Sequence, residues 1–410
     1  MSPMLQGTHN ASRKRWLILA VTYLSVLSLG VMTHSIAPIL TFISGELSLS
    51  HTQAGLLMSF FAIPGIVAAI PAGILADRIN QRTLGIISFA LLTIGGTIFA
   101  TGHSFVALGL GRLISGLGAI TLYVMAAQSL SRWFAGKEIG IAMGVFNTAF
   151  PSSTILSLNL LSSVAERSGW RVSVWITIGL AAAVLIIFST LYSAAPGAKP
   201  LSKGKPGTLV GSLRDMGPGI WFVGFAWMLF TAALFAFFTF TPDFLHTREL
   251  SVGLAGFMTS LVPMPALIMS PLVGHFVDHH GYKCGLVALG AGTLSVLFFL
   301  IPMTVGIVLP WMLAIGFAQV LVPTAIFTLA PEMVKPERIG LSFGVVVTCM
   351  NAGILTGPAL AGFVRDTTGS YQASYALMAG LALLVLPVIG WLALNKRRIV
   401  CRNDEERCQV

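Results

Sequence analysis

The chain has 410 residues, of which 55% are hydrophobic and only 9% are charged, and its mean hydropathy is +0.87. Because soluble domains carry about 25% charged residues, this composition excludes a water-soluble globular protein. The net charge of +10 does not indicate nucleic-acid binding, since the basic residues are scattered among apolar segments rather than gathered into a patch. Strands of a transmembrane barrel need alternating stretches of about ten residues, and these are absent. The composition therefore predicts an all-α membrane protein.

Twelve apolar segments of about the length needed to cross a bilayer follow one another along the chain. They cover residues 16–42, 53–76, 84–101, 105–130, 138–163, 171–194, 219–242, 252–277, 284–305, 308–330, 338–364 and 371–395. The first is too long for the core of a signal peptide, so it is predicted to remain as a membrane span. This order predicts a tail (1–15), an N-terminal six-helix bundle (16–194), a Pro/Gly/Lys-rich linker (195–218), a C-terminal six-helix bundle (219–395) and a second tail (396–410).

The basic residues indicate how the chain is oriented in the membrane. With the N-terminus placed in the cytoplasm, nineteen of the 24 Lys and Arg residues fall in inner loops and tails. Outer loops hold only Arg167, Arg171, Arg248 and Arg365, while Arg112 falls inside a span. Positive charge accumulates on the cytoplasmic side of membrane proteins. The sequence thus predicts a multi-pass protein of a bacterial-type plasma membrane with both termini in the cytoplasm.

The two halves of the chain repeat one another. Four positions of the first half recur about two hundred residues later at an offset of 201, and five more recur at an offset of 200. The first set is Gly55, Pro64, Gly73 and Asp77, matched by Gly256, Pro265, Gly274 and Asp278; the second is Gly140, Gly144, Val164, Glu166 and Gly169, matched by Gly340, Gly344, Val364, Asp366 and Gly369. Transporters built from such repeats usually bind their solute near the membrane midplane, between the halves.

A short stretch after the second apolar segment carries a family resemblance. Residues 73–82 (GILADRINQR) resemble the loop 2–3 signature of the major facilitator superfamily, Gly-x-x-x-Asp-Arg-x-Gly-Arg-Arg. Gly73, Asp77, Arg78 and Arg82 match it, while an Asn and a Gln stand where the signature has Gly and a basic residue. Asn tolerates the left-handed turn conformation better than most residues, so its replacement of Gly is physically mild.

The resemblance extends over essentially the whole chain. The second copy keeps Gly274, Asp278 and Lys283, and the fourth segment matches a further family signature, Arg-x-x-x-Gly, at Arg112 and Gly116. The resemblance implies a fold of twelve helices in two pseudo-symmetric six-helix bundles, and transport by alternating access. It also implies that the matched residues of both loop copies form a cytoplasmic gate.

The branch of the family is indicated by two further stretches. Residues 132–140 look like the corresponding loop of the organic-anion, phosphate-ester, nitrate/nitrite and monocarboxylate branches. Residues 144–151 lack the Gly-Pro-Gly-rich pattern of drug–proton antiporters. These features favour a small organic anion over a cationic drug.

Arg112 and His34 are the leading candidates for a solute or coupling site. An Arg near the centre of a span costs about 2.5–3.5 kcal/mol on insertion scales, so Arg112 is expected to be buried between helices. There it could attract an anion or take part in proton coupling; alternatively, it satisfies backbone carbonyls. His34 has an ordinary pKa near neutrality, which suits proton or substrate binding. The alternative is a neutral, hydrogen-bonded ring.

Six other side chains inside the spans are weaker candidates for binding or coupling. Tyr123 lies three helical turns from Arg112 on the same face, and Asp243 is a carboxylate in the outer part of the seventh segment. For Asp243 the alternative is an exposed charge at a helix end, and each of the other five has an alternative role in helix packing or helix-to-helix hydrogen bonding. The six are Tyr123, Asn147, Trp227, Asp243, Gln319 and Asn351.

The sequence shows no phosphate loop, nucleotide motif, metal-ligand cluster or nucleophilic triad, so neither an enzyme nor a cofactor is expected. The four cysteines, Cys284, Cys349, Cys401 and Cys408, have neither disulfide nor zinc spacing and are predicted to be free thiols. We expect a monomeric secondary transporter in the lipid bilayer that moves a carboxylate-type organic anion by proton symport or anion exchange. Alternatives are proton-coupled efflux of lipophilic drugs or metabolites, a non-transporting membrane sensor on the same fold, and a membrane enzyme.

Overall fold

The computed structural model describes residues 3–134, 139–193, 216–304, 308–334 and 339–403. Side chains are described at these positions except 3–13, 70, 73–78, 131, 139–141, 144, 271, 278–280, 339–340 and 396–403. Regular structure within the described ranges is helical, without a β-strand, which confirms the predicted all-α class. The linker predicted at 195–218 lies outside these ranges up to residue 215.

The helices follow the predicted segments, which we number 1 to 12 in chain order. Their bounds are Pro3–Thr33 and Ile36–Leu47 (segment 1), His51–Phe60 and Ile63–Arg78 (2), Gln81–Thr101 (3), Phe105–Trp133 (4), Ile139–Asn147, Ala149–Leu156, the π-helix Ser157–Leu161 and Ser162–Ser168 (5), Trp170–Leu191 (6), Pro218–His246 (7), Val252–Ser260 and Met264–His280 (8), Lys283–Leu300 with the 3₁₀ turn Ile301–Met303 (9), Leu309–Leu329 with the 3₁₀ turn Ala330–Met333 (10), Ile339–Thr368 (11) and Tyr371–Asn403 (12).

In the described ranges, eleven of these segments are long and apolar enough to cross a membrane. Segment 5 is not among them; several of its positions lie outside the residues whose side chains the structure describes. The count of twelve crossings therefore stays a prediction. Segments 1 and 12 extend beyond their apolar parts, since the first helix begins at Pro3 and the last continues to Asn403.

Contacts between segments repeat in the two halves. Segment 1 packs on segments 5 and 6 as segment 7 packs on 11 and 12, and segment 3 packs on 4 and 6 as segment 9 packs on 10 and 12. Between the halves, segment 2 contacts segment 11, segment 5 contacts segment 8, and segment 1 contacts segment 7. We call these inter-half contacts the seam, and we call the bundle end opposite both tails the distal end.

Segments 1, 2 and 8 are each interrupted near the middle, and prolines explain where. Pro38, Pro64 and Pro265 lie in the first turn of the second helix in each segment. A proline has no N–H group and clashes with the preceding turn, so it begins a helix easily but does not continue one. Because Pro64 and Pro265 are repeat partners, segments 2 and 8 break at equivalent places. These breaks leave backbone carbonyls inside the bundle that need hydrogen-bond donors.

Candidate functional site

Arg112 supplies donors to the broken segments. Its Nε donates to the Leu57 carbonyl (3.1 Å), Nη1 to the Met32 carbonyl (2.8 Å) and Nη2 to the Thr33 carbonyl (3.0 Å). Its guanidinium carbon also lies 4.4 Å from the centre of the Phe61 ring. The three carbonyls belong to the last turns of the first helices in segments 1 and 2, where a positive charge is stabilising. The buried guanidinium thus satisfies backbone carbonyls, which is the alternative role given for Arg112 above.

The glycine one turn after Arg112 explains the spacing of the Arg-x-x-x-Gly signature. A Cβ atom at Gly116 would clash with the carbonyl of Phe61 at the break of segment 2. Gly316 faces the carbonyl of Val262 at the break of segment 8 in the same way. That carbonyl also accepts a hydrogen bond from Gln319 Nε2 at 2.6 Å. Segments 4 and 10 therefore approach equivalent breaks, one with a charged donor and the other with a neutral amide.

His34 lies in the two-residue break of segment 1, on the seam. Its ring stacks on Phe235 of segment 7, with centroids 5.6 Å apart and planes 25° apart. It meets Phe150 of segment 5 edge to face at 6.5 Å. In the part of the chain that the structure describes, the buried ring makes no hydrogen bond to protein. Its neighbour Thr33 is held through its carbonyl by Arg112, so Arg112 positions the break that carries His34.

Tyr123 belongs to the same aromatic group as His34. Its ring centroid lies 5.6 Å from that of Phe146 and 5.7 Å from that of Phe150, which also contacts His34. Asn147, in contrast, is exposed at the end of the first helix of segment 5 and makes none of these contacts. The structure therefore brings His34 and Tyr123 together around Phe150 and leaves Asn147 apart.

A wide-open surface cavity of about 450 Å³ lies within the N-terminal half, between segments 1 and 5, on the tail side of this aromatic group. Its lining is mainly apolar, and Tyr23 and Thr148 supply hydroxyl groups. The Tyr23 hydroxyl donates to Ser152 Oγ at 3.1 Å, which ties the two segments together. The lining residues are Trp16, Leu19, Ala20, Tyr23, Leu24, Val145 and Thr148.

Two further candidates lie in the C-terminal half. Trp227 is buried and stacks on Phe230 with centroids 5.3 Å apart, and its Nε1 has no hydrogen-bond partner among the described residues. Asn351 donates to the Val347 carbonyl of its own helix at 2.9 Å. The Asn351 side chain also lies directly against Gly65, so it is part of the seam with segment 2. Among the described residues, the ring contacts of His34 are with Phe150 and Phe235 rather than with Trp227.

Asp243 lies at the distal end, away from His34, where it joins the two halves. Its Oδ1 accepts a hydrogen bond from Thr41 Oγ1 of segment 1 at 2.9 Å, and its Oδ2 accepts one from the Tyr371 hydroxyl. His51 Nε2, at the start of segment 2, lies 3.9 Å from the same Oδ2. Asp243 is therefore not a free charge at a helix end.

A second carboxylate, Asp366 of segment 11, caps the start of segment 2. Its Oδ1 accepts the His51 backbone N–H (2.8 Å) and lies 3.0 Å from His51 Nδ1. Its Oδ2 accepts the Thr52 backbone N–H (2.7 Å) and the Thr52 hydroxyl (2.5 Å). A carboxylate at a helix N-terminus is favoured both by the free N–H groups and by the helix dipole. We call this contact the 2/11 latch; sequence reasoning had assigned it no role.

The repeat partner of Asp366 makes the equivalent contact on the other side. Glu166 of segment 5 accepts the Gly253 backbone N–H of segment 8 at 3.2 Å. Nearby, Asn159 Nδ2 in the π-helix of segment 5 donates to Ser260 Oγ at 2.8 Å. We call this pair of hydrogen bonds the 5/8 latch. The repeated carboxylates in the sequence were the signal for both latches, because each lies in the last turn of a helix that ends at the seam.

The loop motif is only partly visible. Gly73, Asp77, Arg78 and Asp278 stand at positions whose side chains are not described, so their gating role stays a prediction. Arg82 donates to the Ser189 carbonyl at the end of segment 6, and Lys283 Nζ lies 2.5 Å from Glu332 Oε1. Gly274 has Thr324 as its nearest neighbour, 3.9 Å from an ideal Cβ position. Both basic residues thus bind partners within their own half.

The described residues contain no group of His, Cys, Asp or Glu arranged to hold a metal ion. Neither Cys284 nor Cys349 forms a disulfide bond within the described residues. Cys401 lies in a stretch whose side chains are not described, and Cys408 lies beyond the described residues.

Comparison with known proteins defines the family. The model of the Major Facilitator Superfamily matches residues 22–306 and 245–406. The hexuronate transporter of Bacillus subtilis is 25% identical over 386 residues, covering 85% of this chain and 89% of its own length. The lysosomal dipeptide transporter MFSD1 of Bos taurus is 24% identical over 371 residues, covering 84% and 78%.

A solved structure shows the same fold. The crystal structure of a mutant of the nucleoside transporter NupG superposes with a TM-score of 0.79 at 17% identity, covering 92% of this chain and 99% of its own. The predicted two-bundle fold is thus confirmed. The relatives are transporters rather than enzymes. This chain belongs to the Major Facilitator Superfamily and is a membrane transporter of small solutes.

Proposed function

We propose that this protein carries a small, carboxylate-bearing organic anion across a plasma membrane by alternating access. In this proposal the chain crosses the membrane twelve times, works as a monomer and has both tails in the cytoplasm. The observation that carries the proposal is the position of His34: a buried imidazole ring in a helix break, on the seam, next to the carbonyls that Arg112 holds.

Alternating access needs a central site that opens to one side at a time. Here the 2/11 latch and the 5/8 latch join the halves at the distal end. These contacts support a state that is closed toward the distal side, which is the extracellular side in the proposed orientation.

The chemistry around His34 suits a carboxylate. A protonated imidazole donates charge-assisted hydrogen bonds, which are about twice as strong as neutral ones. The Tyr123 hydroxyl provides a second donor beside the shared Phe150 ring. Arg112 already binds three carbonyls, so it positions the break that carries His34 rather than contacting the anion directly. Hexuronates and dipeptides, the solutes named for two relatives, both carry a carboxylate.

The same ring provides a route for coupling. If the carboxylate binds only to the protonated His34, each anion crosses together with a proton, and transport follows the pH gradient. Anion exchange is the alternative mechanism, in which a second anion must bind after the first is released before the site can reorient to the original side of the membrane. Flux with and without a pH gradient separates these mechanisms.

The experiment is flux into liposomes that contain the purified protein. The solutes are glucuronate, a neutral dipeptide and a cationic lipophilic drug, each with and without a pH gradient. We expect saturable glucuronate uptake that an inward proton gradient stimulates, and a loss of about tenfold or more in His34→Ala. His246→Ala, at the distal surface, is the matched control and should keep wild-type flux. Uptake of the drug with no uptake of either carboxylate solute would overturn the proposal.

The apolar lining of the 450 Å³ cavity supports a second candidate, proton-coupled efflux of lipophilic compounds. Trp16, Leu19 and Leu24 on segment 1 offer such a compound a contact surface. The same flux panel decides between the candidates. An efflux protein would move the cationic drug against its gradient and leave glucuronate outside.

A further inference from the structure

We propose that His51 is a proton-binding site within the 2/11 latch, and that the proton bound there holds the distal end closed without crossing the membrane. The proposal relies on alternating access but not on which solute is carried. It assigns a regulatory role to a cluster that is separate from His34.

The geometry places one imidazole of the N-terminal half between two carboxylates of the C-terminal half. His51 Nδ1 lies 3.0 Å from Asp366 Oδ1 of segment 11, and Nε2 lies 3.9 Å from Asp243 Oδ2 of segment 7. The Tyr371 ring of segment 12 meets the imidazole edge to face at 6.0 Å. Arg365 of segment 11 lies over that Tyr371 ring, 4.4 Å from its centroid. Within the described ranges, these are the charged and titratable groups that face His51.

Protonation of His51 changes how strongly this cluster stabilises the closed distal end. An imidazolium carries N–H donors on both nitrogens and attracts both carboxylates, whereas a neutral ring carries one donor and no charge. Both carboxylates move away from His51 when segments 7 and 11 separate from segment 2. The proton therefore stabilises the closed state more than the open one. Acid on the distal side should favour closure, and the added stability should be lost as the pH rises.

The exposure of His51 shows where its proton comes from and returns to. About a third of the His51 side chain (36%) remains exposed at the distal surface while the latch is closed. A proton released from it re-enters the distal solution and is not passed through the bundle. The site thus senses distal pH and does not couple proton movement to transport.

The 5/8 latch provides an internal comparison in which no histidine stands at the position equivalent to His51. Val252 stands at the repeat position of His51, and Glu166 binds only the backbone N–H of Gly253 among its described contacts with segment 8. Loss of the Glu166 cap should therefore loosen the distal end by the same amount across the pH range. Loss of His51 should instead remove the pH dependence itself.

The test measures the distal opening directly in lipid nanodiscs. Spin labels are placed at Thr101 and Thr247, which are exposed at the distal end in opposite halves, after the four native cysteines are replaced by serine. Distances from double electron–electron resonance are recorded between about pH 5 and pH 8, the range in which His titrates. In the otherwise wild-type protein we expect the long-distance, open population to rise several-fold with pH. His51→Gln and His51→Val should show a distribution that does not depend on pH.

The controls separate a pH sensor from a purely structural contact. Glu166→Gln should raise the open population at every pH and keep its pH dependence. Folding of each variant is checked by size-exclusion chromatography and thermal unfolding. A wild-type distribution that ignores pH, or full pH dependence in His51→Gln, would overturn the site.

A proton-movement assay tests the second half of the proposal. Liposomes with a trapped pH dye report protons that enter with glucuronate, and the ratio of protons to solute should be the same in wild type and His51→Gln. If His51→Gln abolished solute-driven proton entry while keeping glucuronate flux, His51 would be a coupling site, and the regulatory assignment would be wrong. Failure of the proposed function would instead appear as absent glucuronate flux in both proteins, with the pH-dependent distances unchanged.

Discussion

The two latches share a backbone plan but differ in their polar contacts. Gly55 meets the Pro358 carbonyl in the 2/11 contact, and Gly256 meets the Leu158 carbonyl in the 5/8 contact, at positions related by the repeat. Yet Asp366 binds two backbone N–H groups and two side chains, whereas Glu166 binds one backbone N–H. The duplication has kept the close helix approach, while the hydrogen bonds across it have diverged. The 5/8 contact is therefore expected to open more easily.

The same contrast appears at the midplane. In the N-terminal half, Arg112 binds three carbonyls at the breaks of segments 1 and 2. In the C-terminal half, Gln319 binds one carbonyl at the break of segment 8. The offset of 200 that relates Gly116 to Gly316 also relates Arg112 to Met312. Charge is thus concentrated in one half, beside His34.

The largest expected effect comes from Arg112→Met, which introduces the residue found at the equivalent position of the C-terminal half. Three buried carbonyls lose a charged donor. Hydrogen bonds to charged groups contribute about 1.5–3 kcal/mol each, so the free energy of unfolding should fall by several kcal/mol and transport should be lost. Thermal unfolding in detergent and liposome flux measure the two consequences.

Arg112→Lys is the informative companion variant. It keeps the charge, but a single ammonium group cannot reproduce the planar fork that reaches three carbonyls. We expect it to recover only part of the stability. A melting temperature equal to wild type in Arg112→Met would refute the capping role.

A smaller effect is expected from adding a methyl group at the two glycines where the helices of each latch approach one another closely. A Cβ at Gly55 or Gly256 would collide with a backbone carbonyl of the opposite half. Overpacking of this kind costs about 1–3 kcal/mol, and here it opposes the closed distal state. Gly55→Ala and Gly256→Ala should both shift the spin-label distances toward opening and slow flux.

Gly179→Ala is the matched control for these two variants, since nothing lies within 4 Å of its ideal Cβ position. It should leave both the distances and the flux unchanged. Equal behaviour of all three alanine variants would show that the glycine contacts do not control closure.

The smallest effect is expected from Gln319→Leu. The substitution removes one neutral hydrogen bond, which contributes about 0.5–1.5 kcal/mol, and leaves the Val262 carbonyl without its side-chain donor. The drop in the melting temperature should be clearly smaller than in Arg112→Met. An equal or larger drop would mean that the two breaks depend similarly on their polar donors, and the contrast between the halves would be wrong.

The sequence predicted the features that depend on local pattern. Apolar length gave the segments, and the repeat paired Pro64 with Pro265. That segments 2 and 8 break at these prolines was not predicted and is visible only in the structure. The long-range partners were not predictable in this way. His51 and Asp366 are 315 positions apart, and only the folded bundle brings a helix start against a helix end. The repeated pair Glu166 and Asp366 was visible, but without the fold it could not be distinguished from two exposed loop charges.

The role of Arg112 illustrates the same limit. The cost of burying a charge predicted that it lies between helices, which the structure confirms. Which groups satisfy it depends on breaks in two other segments, at residues some 55 and 80 positions away. Arg112 also determines where His34 lies, because the break that Arg112 stabilises places the His34 ring at the seam.

The most direct test of the central claim is equilibrium binding of labelled glucuronate to the purified protein. Wild type should bind glucuronate saturably, and other small carboxylates should compete. His34→Ala should weaken binding by about tenfold or more, in line with the loss of a charge-assisted hydrogen bond, while His246→Ala should bind as wild type. Unchanged binding in His34→Ala, or competition by cationic drugs but not by carboxylates, would contradict an anion site on the seam.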